Sequence, residues 1–194
     1  MKNFKGLILI VVMILIAVST RLFPHPPSFT AIGAMTLFGS AYLSKKYLVV
    51  LFPLSAMWLS DLVLNNIIYS SFNDSFVWFQ SFQIYTYLPI AIVAIIGLFL
   101  FKKVTVSKIA FGSVLFPVVF FLISNFGTWL SPYSLFTHDF TGLIATYIAG
   151  LPYLGNDLLG TALYSSAIFG TYFFITKQSP SLLLKKYKSA ILST

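Results

Sequence analysis

Long apolar runs, separated by short segments that carry the lysines, constrain this chain more than any other feature. The runs lie at residues 6–20, 31–44, 47–68, 84–101, 107–130 and 156–176. A helix that crosses a hydrocarbon core of about 30 Å needs roughly 20 mostly apolar residues. Inside a bilayer every backbone polar group must be satisfied within the protein, so such runs predict helices. The sequence therefore predicts an all-α membrane protein, a six-transmembrane-helix bundle that forms a single domain over residues 1–194.

Composition agrees with this prediction and argues against other classes of protein. Hydrophobic residues make up 58% of the 194 residues and charged residues only 8%, against about a quarter in soluble domains. The net charge of +8 would suggest a nucleic-acid partner in a soluble protein. Here the lysines cluster in short loops, where they indicate membrane orientation, so no nucleic-acid partner is expected. The chain has no cysteine, which excludes disulfides and thiolate metal sites.

The positions of the lysines orient the predicted helices. They precede the first run and follow the second, fourth and sixth: Lys2, Lys5, Lys45, Lys46, Lys102, Lys103, Lys108, Lys177, Lys185, Lys186 and Lys188. With six spans, all of them fall on one side of the bilayer, and the positive-inside rule makes that side cytoplasmic. Both termini are then cytoplasmic. A seven-span chain is the alternative.

The stretch LPYLGND, at residues 151–157, interrupts the last apolar region. Proline and glycine favour turns, and residues 141–151 are too few to cross a membrane. We therefore expect a short interfacial or re-entrant helix there, before helix six. The sixth span would then begin near Asp157, with Asn156 or Asp157 as its N-cap.

The loop after the first run, RLFPHPPSF at residues 21–29, is rigid and polar. Proline fixes its own backbone and restricts the residue before it, so the segment must be largely extended. Irregular backbone at membrane depth persists only when it is buried in protein or lines a watery cavity. Two interpretations remain open: a stiff external connection, or a loop that dips inward and lines a site with His25. Arg21 could snorkel to the surface, or it could pair with an aspartate or an anionic ligand.

An acid inside a predicted span is costly and is a candidate for function. Asp61 lies in the third run, and Trp58 and Asn65 share its helix face at spacings of three and four residues. A ring, a carboxylate and an amide on one face suit a small organic ligand. A structural ion pair of Asp61 with Arg21 is the alternative interpretation.

Further polar groups could complete a binding site. Asn125 lies near the end of the fifth run and needs a partner inside a membrane. Asp157 and Thr161 share a face of the sixth helix. The predicted solute-binding residues are Arg21, His25, Trp58, Asp61, Asn65, Asn125, Asp157 and Thr161. No HExxH, GxSxG or glycine-rich phosphate motif occurs, so we expect no enzyme, no metal and no cofactor.

The stretch RLFPHPPSFTAIGAMTLFGSAYL, at residues 21–43, resembles an uncharacterised bacterial integral membrane family with an R-L-x-P-H-P-P motif. The stretches PLSAMWLSDLVL, SNFGTWL and GLPYLGNDLLGTALYSSAIFG fit the same family. Ser28 and Ala31 depart from it, where asparagine and proline are usual. The family is similar in size, span count and orientation to the substrate-binding (S) components of energy-coupling factor transporters. In those proteins the loop after helix one caps a vitamin site near the outer face.

These observations give one leading expectation for function. We expect a protein of the bacterial cytoplasmic (inner) membrane that binds a small water-soluble, vitamin-like solute at its outer face and helps its uptake. The expected partners are the solute and the lipid bilayer. The resemblance adds an energy-coupling transmembrane protein and an ATPase module. The alternatives are a non-transport structural membrane subunit and a membrane-embedded lipid or peptide enzyme that uses His25 or His138.

Overall fold

The structure is a computed structural model that describes the backbone of residues 2–178 and the side chains of residues 12–174. Within that part the chain forms helices and no strand, which confirms the all-α prediction. The described residues form six α-helices: α1 (Lys2–Leu22), α2 (Ile32–Tyr42), α3 (Lys46–Val63), α4 (Ile84–Leu100), α5 (Val106–Leu130) and α6 (Phe140–Gln178). A π-helix, Leu64–Ile68, continues α3, and two 3₁₀ turns, Ser70–Phe72 and Ser81–Gln83, precede α4.

Three of the described helical segments are long and apolar enough to cross a membrane. They are Lys46–Ile68, Ser81–Leu100 and Val106–Leu130, with mean hydropathies between 1.8 and 2.2. Large apolar side chains also point away from the bundle, and Phe99, Phe111 and Phe174 are 57–66% exposed. Such a surface suits contact with lipid. These features are those of a membrane protein, while the number of spans and the side of each terminus remain predictions.

The second helix lies at the centre of the bundle. Every residue from Ile32 to Ser40 is buried, and α2 contacts α3, α4, α5 and α6. Glycine permits the close approach to α4, because a Cβ at Gly97 would lie 2.5 Å from Ser40 Cβ. The Ser40 hydroxyl donates a hydrogen bond to the carbonyl oxygen of Ala94 at 3.1 Å. With 11 residues, α2 rises only about 16 Å, roughly half of a hydrocarbon core.

Helix α6 runs parallel to α2. Matched contacts follow one another along the pair: Gly33 with Thr161, Phe38 with Phe169, and Tyr42 with Tyr172. Because both helices advance in the same direction, residues that precede Thr161 lie beyond the beginning of α2. This register places Asp157, one turn before Thr161, beside the N-terminal end of α2.

The predicted break before the sixth helix is wrong. α6 is one helix of 39 residues, Phe140–Gln178, with Pro152 inside it. Proline removes one backbone hydrogen bond, but helices in membranes tolerate it where neighbouring groups satisfy the freed carbonyl. Asp157 therefore lies within the helix and cannot be its N-cap. The capping residue is Asp139, whose Oδ1 accepts the backbone N–H of Gly142 at 2.7 Å.

Candidate functional site

A cavity of about 250 Å³ lies at the end of the bundle where α1 and α3 end and α2 begins. Its wall combines polar and apolar side chains from α1, the loop after it, α2, α3, the π-helix, α5 and α6. The lining residues are Arg21, His25, Ser28, Thr30, Ile32, Met57, Leu64, Tyr69, Phe116, Phe120 and Asp157. The short length of α2 explains the space, since this central helix begins well below the ends of its longer neighbours.

The loop at residues 23–31 closes one side of the cavity, as the second interpretation of this loop predicts. The expected extended backbone is interrupted by a turn: the N–H of Phe29 donates to the carbonyl of Pro26, and Ser28 adopts the left-handed conformation with φ 66°. The N–H of Ala31 donates to Thr20 Oγ1 at 3.1 Å, which ties the loop to α1. On the other side, Gly160 of α6 lets the loop backbone approach closely.

Arg21 and Asp61 form a buried ion pair. Arg21 Nη1 lies 2.7 Å from Asp61 Oδ1, and their side chains are 16% and 8% exposed. The other oxygen, Oδ2, accepts hydrogen bonds from Tyr87 Oη at 2.6 Å and from Gln83 Nε2 at 3.1 Å. Both oxygens of Asp61 are thus satisfied by protein. Asp61 does not line the cavity, so its geometry is that of the structural ion pair considered as the alternative.

Only one edge of the Arg21 guanidinium takes part in this network. Nη1 also donates to the Met57 carbonyl at 3.1 Å and to the hydroxyl of Ser60. Nε and Nη2 have no hydrogen-bond partner among the described residues. Neither atom is fully buried, so both keep some accessible surface. Arg21 lines the cavity, so Nε and Nη2 are the donors that it could offer to a molecule inside it.

Asp157 faces the same cavity from α6. The residue is 6% exposed, and its Oδ1 accepts a hydrogen bond from Thr161 Oγ1 at 3.1 Å. Its other oxygen, Oδ2, has no hydrogen-bond partner in the described part of the chain, and Asp157 lines the cavity. Thr161 is fully buried and orients the carboxyl without lining the cavity. The structure thus gathers Arg21, His25, Asp157 and, through Asp157, Thr161.

The remaining predicted residues lie elsewhere. Trp58 is 37% exposed, and its indole N–H donates to the Trp78 carbonyl at 3.1 Å. Asn65 lines a separate hollow of about 200 Å³ formed by the loop around residues 70–76. Asn125 donates to the Phe121 carbonyl of its own helix at 2.8 Å. The predicted common face of Trp58, Asp61 and Asn65 therefore does not form one site.

Three aromatic residues of the cavity were missed by reasoning from the sequence. One of them, Tyr69, directly follows the π-helix, and its N–H donates to the Leu64 carbonyl at 2.7 Å, five residues back. This wider turn changes the register of the helix after Leu64, and both Leu64 and Tyr69 line the cavity. Phe116 and Phe120 stack at 5.9 Å with 23° between their rings. Their four-residue spacing was a usable signal, whereas a π-helix leaves none in the sequence.

An apolar groove of about 440 Å³ adjoins the cavity. Side chains of α1, among them Val12, Leu15 and Ile16, form one wall, and Tyr164 of α6 contributes to the other. His25 lines both spaces. The imidazole therefore stands between a polar cavity and an apolar groove at the bundle surface.

Metal ligands do not converge in the part of the chain that the structure describes. No group of three or more histidine, cysteine, aspartate or glutamate side chains comes together there. The cavity offers one imidazole, one carboxyl group and one guanidinium, from His25, Asp157 and Arg21. Together with aromatic rings, these groups suit hydrogen bonding to an organic molecule.

Comparison with known proteins gives a family and no function. No curated protein and no solved structure matches the chain. Residues 1–182 match a family of unknown function, DUF6580. This match agrees with the expectation of an uncharacterised family that extends over most of the sequence. The chain therefore belongs to DUF6580, a family of unknown function.

Proposed function

We propose that the protein binds a small, water-soluble organic solute in the cavity and helps it cross the bacterial inner membrane. One observation carries this proposal: the cavity joins a guanidinium edge, a carboxyl oxygen and an imidazole to a wall of aromatic rings. Small-molecule sites combine a mostly apolar wall with a few converging polar groups in this way. A volume of about 250 Å³ is slightly below the usual range of about 300–1,000 Å³ for drug-sized ligands, which favours a small metabolite of vitamin-like size or less.

The position of the cavity supports an outward-facing site. It lies where α2 begins, whereas Lys45 and Lys46 follow the opposite end of α2. Lys102 and Lys103 follow α4, whose last turns contact the last turns of α2 through Ser40 and Gly97. The lysine loops are thus at the end of the bundle remote from the cavity. With the lysines in the cytoplasm, the cavity opens toward the outside.

The loop at residues 23–31 is the proposed lid. It lines the cavity, and its two attachments are a hydrogen bond to Thr20 and a packing contact at Gly160. The S components of energy-coupling factor transporters have a loop in the same place in the chain. That resemblance is one of architecture. An energy-coupling transmembrane protein and an ATPase module are proposed partners on the same resemblance.

Native mass spectrometry of the protein purified in mild detergent tests the proposal. We expect a co-purified small organic molecule, absent from Asp157→Ala and retained by Asp74→Ala. Asp74 is the matched control, because it is an exposed loop aspartate outside the cavity. A wild-type protein with an empty cavity, or a solute that both variants retain equally, would contradict the proposal.

Each alternative function is favoured by one observation, and each predicts a different result in the same mass-spectrometry experiment. The satisfied network around Asp61 is what a structural membrane subunit would also contain. The apolar groove beside His25 suits an acyl chain, which a lipid enzyme would need. An empty cavity therefore supports the first alternative, and a bound phospholipid in place of a solute supports the second.

A further inference from the structure

We infer that the solute is a small zwitterion, with a carboxylate held by Arg21 and an ammonium held by Asp157. The inference rests on the proposed function, because it names the class of solute that the same cavity would select. It starts from the two polar groups of the wall that the protein leaves partly unpaired. These groups have opposite chemistry, and each is held in place by contacts outside the cavity.

The first group is the free edge of the Arg21 guanidinium. Asp61, Ser60 and the Met57 carbonyl hold Nη1, which fixes the plane of the group. Nε and Nη2 then present two parallel N–H donors, the geometry that binds a carboxylate through both oxygens. Lysine could supply the charge at this position but not the paired donors.

The beginning of α2 adds positive potential on the same wall. The first N–H groups of a helix have no partner within it, and the helix dipole makes that end positive. Ala31 precedes α2 and offers no side-chain cap, and Ile32, the first residue of the helix, lines the cavity. This end of α2 and the Arg21 edge together favour an anionic group.

The second polar group is the free oxygen of Asp157. Thr161 donates to Oδ1, which orients the carboxyl and leaves Oδ2 without a protein partner on a residue that lines the cavity. Asp157 is only 6% exposed, so an Oδ2 atom without a protein partner is completed best by a hydrogen-bond donor from the solute. A purely anionic solute would be repelled by the Asp157 carboxylate, and a purely cationic solute would be repelled by the Arg21 guanidinium. Only a solute with both charges pairs with both residues, so specificity comes from repulsion as well as attraction.

The stacked rings of Phe116 and Phe120 form the apolar part of the wall. They suit an apolar or aromatic body that joins the two charged ends. A small α-amino acid or a related amino carboxylate combines these features in a molecule that a cavity of about 250 Å³ can hold.

Equilibrium dialysis against matched triplets tests this inference. Each triplet contains an amino acid, its decarboxylated amine and its deaminated acid: phenylalanine, phenethylamine and 3-phenylpropionate, and the corresponding compounds of every other standard amino acid. Neutral sugars and nucleosides complete the panel. We expect at least one amino acid to bind about tenfold or more tightly than either of its counterparts, since each charged hydrogen-bond pair contributes that much or more.

Two conservative variants assign the two ends of the solute. Asp157→Asn keeps an acceptor for Thr161 and should remove the preference for the amino acid over its deaminated acid. Arg21→Lys keeps the charge beside Asp61 and should remove the preference over the amine. Thr146→Val is the control, because Thr146 is a buried threonine of α6 outside the cavity that bonds to the Gly142 carbonyl.

The outcomes separate this inference from the function on which it rests. If a neutral compound, an amine or an acid binds as tightly as the amino acid, and Asp157→Ala abolishes that binding, the cavity is a solute site and the zwitterion is wrong. If no compound binds and none co-purifies, both proposals fail. The ranking of the triplet in the wild-type protein needs no variant, so it decides the inference even where a variant does not fold.

Discussion

The ion pair of Arg21 and Asp61 positions the open edge of the guanidinium. A buried pair adds little net stability compared with apolar residues of the same volume, but loss of one partner leaves an unpaired buried charge. Tyr87 and Gln83 complete the coordination of Asp61 from the beginning of α4. The network therefore connects α1, α3 and α4 and fixes where Nε and Nη2 point.

Asp61→Ala should lower the free energy of unfolding by about 3–5 kcal/mol, because it leaves the Arg21 guanidinium buried without its counter-ion. The double variant Arg21→Met with Asp61→Leu should be clearly more stable than the sum of the single changes predicts, since it removes both charges. Thermal unfolding in detergent, without added solute, measures both. Strict additivity of the two changes would show that the pair is not coupled.

The sequence identified some site residues and misplaced others for definite reasons. Arg21, His25 and Asp157 were predictable because polar residues beside or inside apolar runs are exceptional. The helix-face argument failed at Asn65 because it assumed a regular helix where the π-helix Leu64–Ile68 begins. It failed at Trp58, in the regular part of α3, because the indole bonds to the loop carbonyl of Trp78 and does not line the cavity. The partners of Asp61 on α4 could not be predicted either, since a helix face does not reveal which distant helix will pack against it.

The length of α2 determines where a cavity can form. A central helix of 11 residues leaves room at its N-terminal end, and the loop that precedes it must enter the bundle to meet it. Small residues let the neighbours close around this helix. At Gly33 a Cβ would lie 2.5 Å from Thr161 Oγ1 and 2.6 Å from Phe116 Cδ1. The position of α2 thus also determines where Phe116, which lines the cavity, and Thr161, which bonds to Asp157, can lie.

Gly33→Ala should destabilise the protein by about 1–3 kcal/mol through overpacking against Thr161 and Phe116. The change should also weaken solute binding, because Thr161 orients Asp157. Gly155→Ala is the control: its Cβ meets nothing within 4 Å, and alanine is the better helix former by up to about 1 kcal/mol. Unfolding temperatures of the two variants test this, and equal values would refute the proposed contact of α2 with α6.

Asp139 stabilises the beginning of α6 in a pH-dependent way. Hydrogen bonds from the Gly142 N–H and the Thr137 hydroxyl hold the pKa of its carboxyl below the ordinary value. A lowered folded pKa contributes stability above the unfolded pKa of about 3.9, and this contribution is lost as the pH falls through the lower folded value.

Hydrogen exchange at residues 140–142 measures this effect. Relative to wild type, Asp139→Ala should speed exchange near pH 6, and the difference should shrink as the pH falls far enough to protonate the wild-type carboxyl. Asp74→Ala, a change in a loop aspartate that begins no helix, should leave these amides unchanged. A difference that persists unchanged at low pH would rule out a charged cap.

The existence of the helices was predictable from the apolar runs, whereas the arrangement of the last one was not. LPYLGND contains the residues that end helices in water, but Pro152 and Gly155 lie inside α6. The requirement that backbone in a membrane satisfy its own hydrogen bonds outweighs the local turn preferences there. The central position of α2 could not be predicted from the sequence either, since a short apolar run does not show that the helix will be buried on every side.

The proposal that the cavity faces outward depends on the orientation of the whole molecule in the membrane. Single-cysteine variants can test this orientation. The chain has no cysteine, so each introduced thiol is unique. Ser75 and Leu135 lie in the loops on the cavity side of the proposed topology, and Ser44 and Ser107 lie beside the lysine loops, with every lysine left in place. A membrane-impermeant maleimide should label Ser75→Cys and Leu135→Cys in intact cells, and Ser44→Cys and Ser107→Cys only after permeabilisation, because the positive-inside rule predicts a cytoplasmic lysine-rich side.

The reverse labelling pattern would turn the cavity toward the cytoplasm, and a solute-binding protein of that orientation would have to act in export or in sensing the cell interior. Labelling of all four positions from one side would contradict a chain that crosses the bilayer between each pair of loops. The expected pattern would instead support an arrangement with the cavity and the lid loop on the outer side and the lysine loops on the cytoplasmic side. In it, a zwitterion outside the cell meets Arg21 and Asp157 first and the lysine side last.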